Sequence, residues 1–178
     1  MNRDRFDRLA LEHVDAVYRM AMHLARNEAE AADLVQETYL RALRAADRFE
    51  ERGRGMRPWL LRILHNVFRT ARKSTGDHDV LPLDEDPPGE TPATPVTGGP
   101  EHLDWERVDD TLKSAVERLR PECRLTLLLW AVEGFKYREI ADITEVPIGT
   151  VMSRLHRART VLAEQLSEWV EQRGLPRG

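Results

Sequence analysis

Cysteine is nearly absent: Cys123 stands alone among 178 residues, so no internal disulfide can form. It lies in the apolar-rich stretch 123–132, a setting for a buried, inert thiol rather than a redox sensor. Aromatic residues make up only 6 %, so any core must lean on aliphatic side chains. No apolar run approaches the roughly 18 residues that span a bilayer, and direct membrane insertion is not expected. The opening residues, MNRDRFDRLALEHVD, are charged and hold no signal-peptide core, so the expected location is cytoplasmic. The six histidines (His13, His23, His65, His78, His102, His156) form no paired metal spacing. A glycine-rich phosphate loop and a nucleophile motif are missing too. No metal, no cofactor, no small-molecule substrate and no enzymatic chemistry are expected. Alternating β patterns and internal repeats are likewise absent.

The chain does have helix-forming residues and charge. Apolar residues account for 41 % and charged residues for 33 %, with Ala, Leu, Glu and Arg prominent. Net charge is −4, which by itself argues against nucleic acid. The distribution says otherwise. From Arg52 to Lys73 there are seven Lys or Arg and no acid. From Ile148 to Ala163 stand Arg154, Arg157 and Arg159, again without an acid. Between Ser74 and Glu106 the pattern inverts, with nine acids and no Lys or Arg.

The expected fold class is all-α, with two small helical domains at 1–75 and 101–178. Residues 76–100, GDHDVLPLDEDPPGETPATPVTGGP, read as a flexible acidic Pro/Gly-rich linker. In the first domain Phe6, Leu9, Ala10, Val14, Val17, Tyr18, Ala21 and Leu24 follow one helical stripe. Asn27 with Glu30 forms a capping-box pattern ahead of a second helix carrying Ala31, Leu34, Val35, Thr38, Tyr39 and Ala42. Pro58 suits the first turn of a third helix with Trp59, Leu60, Ile63, Leu64, Val67 and Phe68. In the second domain helices are expected at about 102–119, 121–132, 136–143 and 148–165, with Gly134 ending the second of them.

The last two helices fit a helix-turn-helix. Its geometry needs two helices at a steep angle joined by a short turn, here Thr144 to Pro147. Ile140, Ala141 and Ile143 face inward from the first. Ile148, Val151, Leu155, Ala158 and Leu162 form the inner stripe of the second, within about 80° of arc. Thr150, Ser153, Arg157 and Thr160 then point outward, flanked by Arg154 and His156. Such a face suits a major groove: Arg donates twice to guanine, and Ser and Thr adapt to base edges. Lys136 and Arg138 are placed for backbone phosphate. Arg159 lies nearer the inner stripe, to snorkel or to touch phosphate. The plain alternative is an amphipathic helix pair with a basic solvated face.

Three segments together, ADLVQETYLRAL (32–43), RPWLLRILHNVFRTARK (57–73) and YREIADITEVPIGTVMSRLHRAR (137–159), resemble the signatures of extracytoplasmic-function (ECF) sigma factors. The resemblance covers both domains and omits mainly the linker and tails. It implies a sigma-2 domain, a linker and a sigma-4 domain, with core RNA polymerase, promoter DNA and an anti-sigma factor as partners. In polymerase the β′ clamp coiled coil and the β flap are the implied seats. By the same resemblance Asp33, Leu34, Gln36, Glu37 and Thr38 would bind the coiled coil. Arg52, Arg54, Met56, Arg57, Trp59, Arg62, Asn66 and Arg69 would handle an unstacked base and phosphates at the minus-ten element. Trp59 is either a base contact or a core ring. Met152, Ser153, His156 and Arg157 would read the minus-thirty-five element, so Met152 enters beside Thr150 and Arg154 from the helical wheel. For His156 a solvated side chain is the competing role. The rival function is a helix-turn-helix regulator that acts as a dimer without polymerase.

Overall fold

A computed structural model describes residues 3–25, 27–49, 55–74 and 103–172. Arg52, Arg54 and the expected linker at 76–100 lie outside the described residues. The described residues form two compact units. They contain eight α-helices, two short 3-10 turns and no strand.

The first unit comprises α1 (Arg3–Leu11), α2 (Val14–Leu24), α3 (Glu28–Arg44) and α4 (Met56–Ser74). The single first helix expected from the stripe is in fact two. At the break Glu12 N–H reaches Arg8 O, but His13 N–H bonds Ala10 O, three residues back. Phe6 and Ala10 are buried from α1, and Val17, Met20, Ala21 and Leu24 from α2. Leu11, Val14 and Tyr18, near the corner, are exposed instead. No Gly or Pro marks this corner; tertiary bonds fix it. The Tyr39 hydroxyl donates to Ala10 O at 2.9 Å, satisfying a carbonyl at the end of α1.

Asn27 caps α3 as its side-chain oxygen accepts from Glu30 N–H at 2.9 Å. Helix α3 then buries Ala31, Leu34, Thr38 and Ala42. In α4, Leu60, Leu61, Leu64, Val67 and Phe68 turn inward. An aromatic cluster closes the other side: Phe6 meets Trp59 edge-on at 5.9 Å, and Phe49 lies 5.2 Å from Trp59.

The second unit holds α5 (Asp110–Glu117), α6 (Pro121–Ala131), most of α7 (Tyr137–Thr144) and α8 (Ile148–Gln172). Helix α5 is far shorter than the expected 102–119. Asp109 caps it by accepting from Thr111 N–H at 2.8 Å, and the stretch before it makes a 3-10 turn at Trp105–Arg107. A side-chain oxygen offered at Asp109 starts the helix there. Arg124 of α6 donates to Glu117 O at 2.6 Å and so closes the C-terminal end of α5. Pro121 opens α6, and Gly134, with φ of 72°, takes the left-handed turn after it. Helix α8 runs beyond the expected residue 165, to Gln172.

Two consequences are measurable. Asn27→Ala removes the α3 cap and lowers unfolding free energy by about 1 kcal/mol, while Asn27→Ser keeps most of it. Denaturant midpoints compare the two. For Tyr39, burial and then the Asp15 charge push the phenol up from 10.0 to about 12. The folded state holds that proton more tightly, so the stabilisation is complete below pH 10 and fades as pH rises through about 12. In an absorbance titration one tyrosine should ionise late, and Tyr39→Phe should abolish that step. A late step surviving in Tyr39→Phe assigns it to Tyr18 or Tyr137.

Candidate nucleic-acid interface

The turn between α7 and α8 is built by local chemistry. Glu139 accepts from Lys136 N–H at 2.8 Å, capping α7 at its start. At its end Glu145 adopts φ of 56°, and Val146 N–H returns to Ala141 O at 3.1 Å. This is a Schellman closure with a non-glycine residue in the left-handed position. Pro147 then accepts from Thr150 N–H at 2.9 Å as α8 begins. Ile140 and Ile143 are buried as expected, and Ala141 is half-buried.

Along α8 the inner stripe is Val151, Leu155 and Ala158, all buried. Two expectations change. Ile148 is 39 % exposed rather than part of the buried stripe. Arg154, expected on the flank of the outer face, is only 6 % exposed and lies close enough to Cys123 to act on its thiol electrostatically. A buried Arg cannot also present its guanidinium to a base edge. His156 is exposed, and Met152, Ser153 and Arg157 are half-buried on the outer side; Thr150 is half-buried as well. Ser153 Oγ donates back to Thr150 O at 3.0 Å, which orients it along the helix. Lys136 and Arg138 are exposed at the start of α7. Burial first, against nearby arginines, raises the Cys123 thiol above its ordinary range, in keeping with an inert packing role.

Among the residues expected at the downstream element, α4 brings three together. Arg62, Asn66 and Arg69 fall within about 60° of arc at 100° per residue, and Lys73 continues the line. Arg62 and Lys73 are exposed, while Asn66 and Arg69 are half-buried. Met56 and Arg57 lie off this arc, and Trp59, beside Asn66 on the wheel, is held by packing. Met56 is 5 % exposed and belongs to the core. Arg57 lies beside His13; partial burial and then the Arg57 cation hold that imidazole below its ordinary range. Trp59 is half-buried against Phe6 and Phe49, so its ring is already engaged in packing. Arg52 and Arg54 lie outside the described residues.

On α3, Asp33 and Gln36 are exposed, and Glu37 is half-buried in an ion pair with Arg41 at 2.6 Å. Leu34 is buried, and Thr38 is fully buried with its hydroxyl bonded to Leu34 O at 2.7 Å. These two are core residues, which corrects their expected place in a docking surface. Exposed Leu40 shares the Asp33 and Gln36 side of the helix, and sequence reasoning missed it.

Residues 9–77 match the sigma-70 region 2 family model, and residues 109–162 match sigma-70 region 4. The chain is 35 % identical over 167 residues to the ECF RNA polymerase sigma factor SigE of Mycolicibacterium smegmatis. That match covers 92 % of this chain but only 62 % of the length of SigE. It is 32 % identical to the RNA polymerase sigma factor CarQ of Myxococcus xanthus, over 93 % of this chain and 91 % of CarQ. Its backbone is similar to the sigma factor RpoE of Bartonella quintana, solved with the anti-sigma factor NepR. There the TM-score is 0.66 at 29 % identity, covering 92 % of this chain and 97 % of that one.

The two sides of α8 separate by mutation. Arg154→Ala should cost about 1–3 kcal/mol of stability, because it empties a buried polar position. His156→Ala, at an exposed position, should stay within about 0.5 kcal/mol. Thermal unfolding reads both; a neutral Arg154→Ala returns Arg154 to the outer face.

Proposed function

Because the chain belongs to the ECF family of RNA polymerase sigma factors, we propose that it reads a bipartite promoter through two separate helical faces while bound to core polymerase. The observation that carries this is the pairing of an outward Ser153–His156–Arg157 side on α8 with the Arg62–Asn66–Arg69 line on α4. The first is suited to base edges in a major groove. The second combines cations for phosphate with an amide for the edge of an unstacked base. Residues 1–75 form the downstream-reading domain, 76–100 the linker and 101–178 the upstream-reading domain. Lys136 and Arg138 serve as phosphate contacts, with Thr150 and Met152 at the edges of the reading face.

Asp33, Gln36 and Glu37 are the docking residues for the β′ clamp coiled coil, and the β flap receives the upstream-reading domain. An anti-sigma factor restrains the free protein; the similar sigma factor of Bartonella quintana, solved in complex with the anti-sigma factor NepR, supports this. No helix among the described residues is long and apolar enough to cross a membrane, consistent with work beside polymerase in the cytoplasm. The chain performs no covalent chemistry; it binds, positions and opens DNA. The dimeric regulator reading gains no specific observation, since each unit matches a separate sigma region.

Run-off transcription with core polymerase on a promoter library is the direct test. Selective initiation is expected, and its absence together with no binding to core enzyme would falsify the reading. Within it, Arg157→Ala should impair upstream recognition. Asn66→Ala should leave upstream binding intact and slow promoter opening, followed by permanganate reactivity. Loss of core binding alone in both variants refutes the site assignments.

A further inference from the structure

Helix α8 carries three arginines and gives each a different environment. Arg154 is buried, and Arg157 is half-buried on the side of Cys123. The guanidinium of Arg159 lies over the ring of Trp130, 4.8 Å from its centroid. Trp130 sits on α6 near its C-terminal end and is half-buried, as is Arg159. Among the described residues, no acidic side chain or hydrogen-bond acceptor takes the Arg159 donors.

A stacked guanidinium keeps its edge free. With its central carbon held over the ring, the guanidinium is attracted by the ring and still has in-plane N–H donors to offer an acceptor. The donor fork matches the spacing of two phosphate oxygens. The stack also holds the long side chain in one setting, so little rotamer freedom is lost when an anion arrives.

Position along the helix says which anion. The buried stripe of Val151, Leu155 and Ala158 defines the inner side of α8, and its opposite passes near His156 and Thr160. Arg157 stands about 60° to one side of that outer direction, and Arg159 about 100° to the other, in line with Met152. A helix lying in a major groove has a phosphate strand on each side. The shoulders of the helix face those strands, and the outer side faces bases.

We propose that Arg159 and Trp130 form a phosphate clamp for the promoter backbone, with Trp130 as the positioning residue and Arg159 as the contact. The ligand is a phosphodiester on the strand flanking the upstream element. The clamp rests on the reading of α8 as the promoter-duplex helix and adds to it a sequence-independent contact that leaves base choice to the outer side.

The test uses the full chain assembled with core polymerase, binding duplexes with a matched or scrambled upstream element across a salt series. For Arg159→Gln, the slope of log affinity against log salt should shrink by about one on both duplexes, leaving their ratio unchanged. Trp130→Leu keeps the charge, so the slope should hold while affinity falls about threefold, the size of a partly exposed cation–π contact. Trp130→Phe should restore affinity to within about twofold. In the double variant Trp130→Leu/Arg159→Gln the losses should be less than additive. An unchanged slope in Arg159→Gln, a changed matched-to-scrambled ratio, or full additivity each overturns the clamp. Thermal unfolding of Trp130→Leu guards against a folding defect, and the Arg159→Gln slope decides the matter if that variant unfolds. Arg157→Ala separates the premise: if it leaves the matched-to-scrambled ratio intact, the fault lies in the reading of α8 rather than in the clamp.

Discussion

Helix α6 sets the frame on which the second unit is built. Cys123, Leu125, Thr126, Leu127, Leu128, Leu129 and Ala131 are all buried, so the helix is enclosed on nearly every side. An all-round apolar helix has no stripe of its own to orient it. It is oriented by its ends: Pro121 starts it, Arg124 ties it to the last carbonyls of α5, and Leu103 N–H caps Ala131 O at 2.9 Å. Each buried Leu contributes about 2–3 kcal/mol, against a total stability of about 5–15 kcal/mol for a domain. The setting of α8 follows, because the helix that carries Val151, Leu155 and Ala158 packs mostly on α6, with α5 beside it. A helix placed by such a core presents its outer residues without needing a partner of its own.

The same core decides what becomes of charge. Three arginines in one helix read, on a net charge, as a uniformly basic face. Packing divides them. Arg154 is withdrawn from solvent, Arg159 is held over Trp130, and Arg157 keeps an outward part. In the first unit the division is similar. Arg72 lies over Phe68 and Arg57 beside His13, while Arg62, Arg69 and Lys73 share a line with Asn66. A chain of net charge −4 thus keeps a short line of cations on α4 and a partly outward Arg157 on α8. Over distances beyond a Debye length of about 8 Å the remaining acids are screened, so under the proposed function local cations rather than net charge would govern contact with DNA.

What the sequence disclosed and what it hid follow from the same physics. Local chemistry was legible. Asn27 announces a cap, Gly134 a left-handed turn, and Thr144 to Pro147 the corner of the helix-turn-helix, because each depends on neighbours a few residues away. The α1–α2 corner was hidden because its determinant, the hydroxyl of Tyr39, arrives from a position 29 residues downstream. Asp109 ended the expected long helix by offering a cap, a signal present in the sequence but masked by the apolar period on either side. Site residues divided along the same line. Ser153, His156 and Arg157 sit on a face that a wheel can find, whereas Ile148 and Arg154 depend on where the covering core stops. A wheel assumes the same neighbour at every turn, and exposed Ile148 one turn before buried Val151 shows that α8 breaks that assumption. Thr38 and Leu34 carried the family pattern for docking yet serve the core, leaving Asp33 and Gln36 as the exposed members.

Two units with separate cores also bear on how promoter affinity arises under the proposed function. Each unit offers a short strip of contacts, and a few phosphates with one or two base edges give only weak binding to a short duplex. Joining the strips through a linker changes the second contact from a collision in solution into an encounter at an effective concentration up to millimolar. A rigid body that grips both units holds them at one separation, and the entropy cost is then met by protein–protein contacts rather than by DNA. Asp33 and Gln36 lie on α3 and the Arg62–Asn66–Arg69 strip on α4, and the former carry the opposite charge or none. Under the proposed function, polymerase docks through α3 and DNA through α4, so the same small unit would hold both at once.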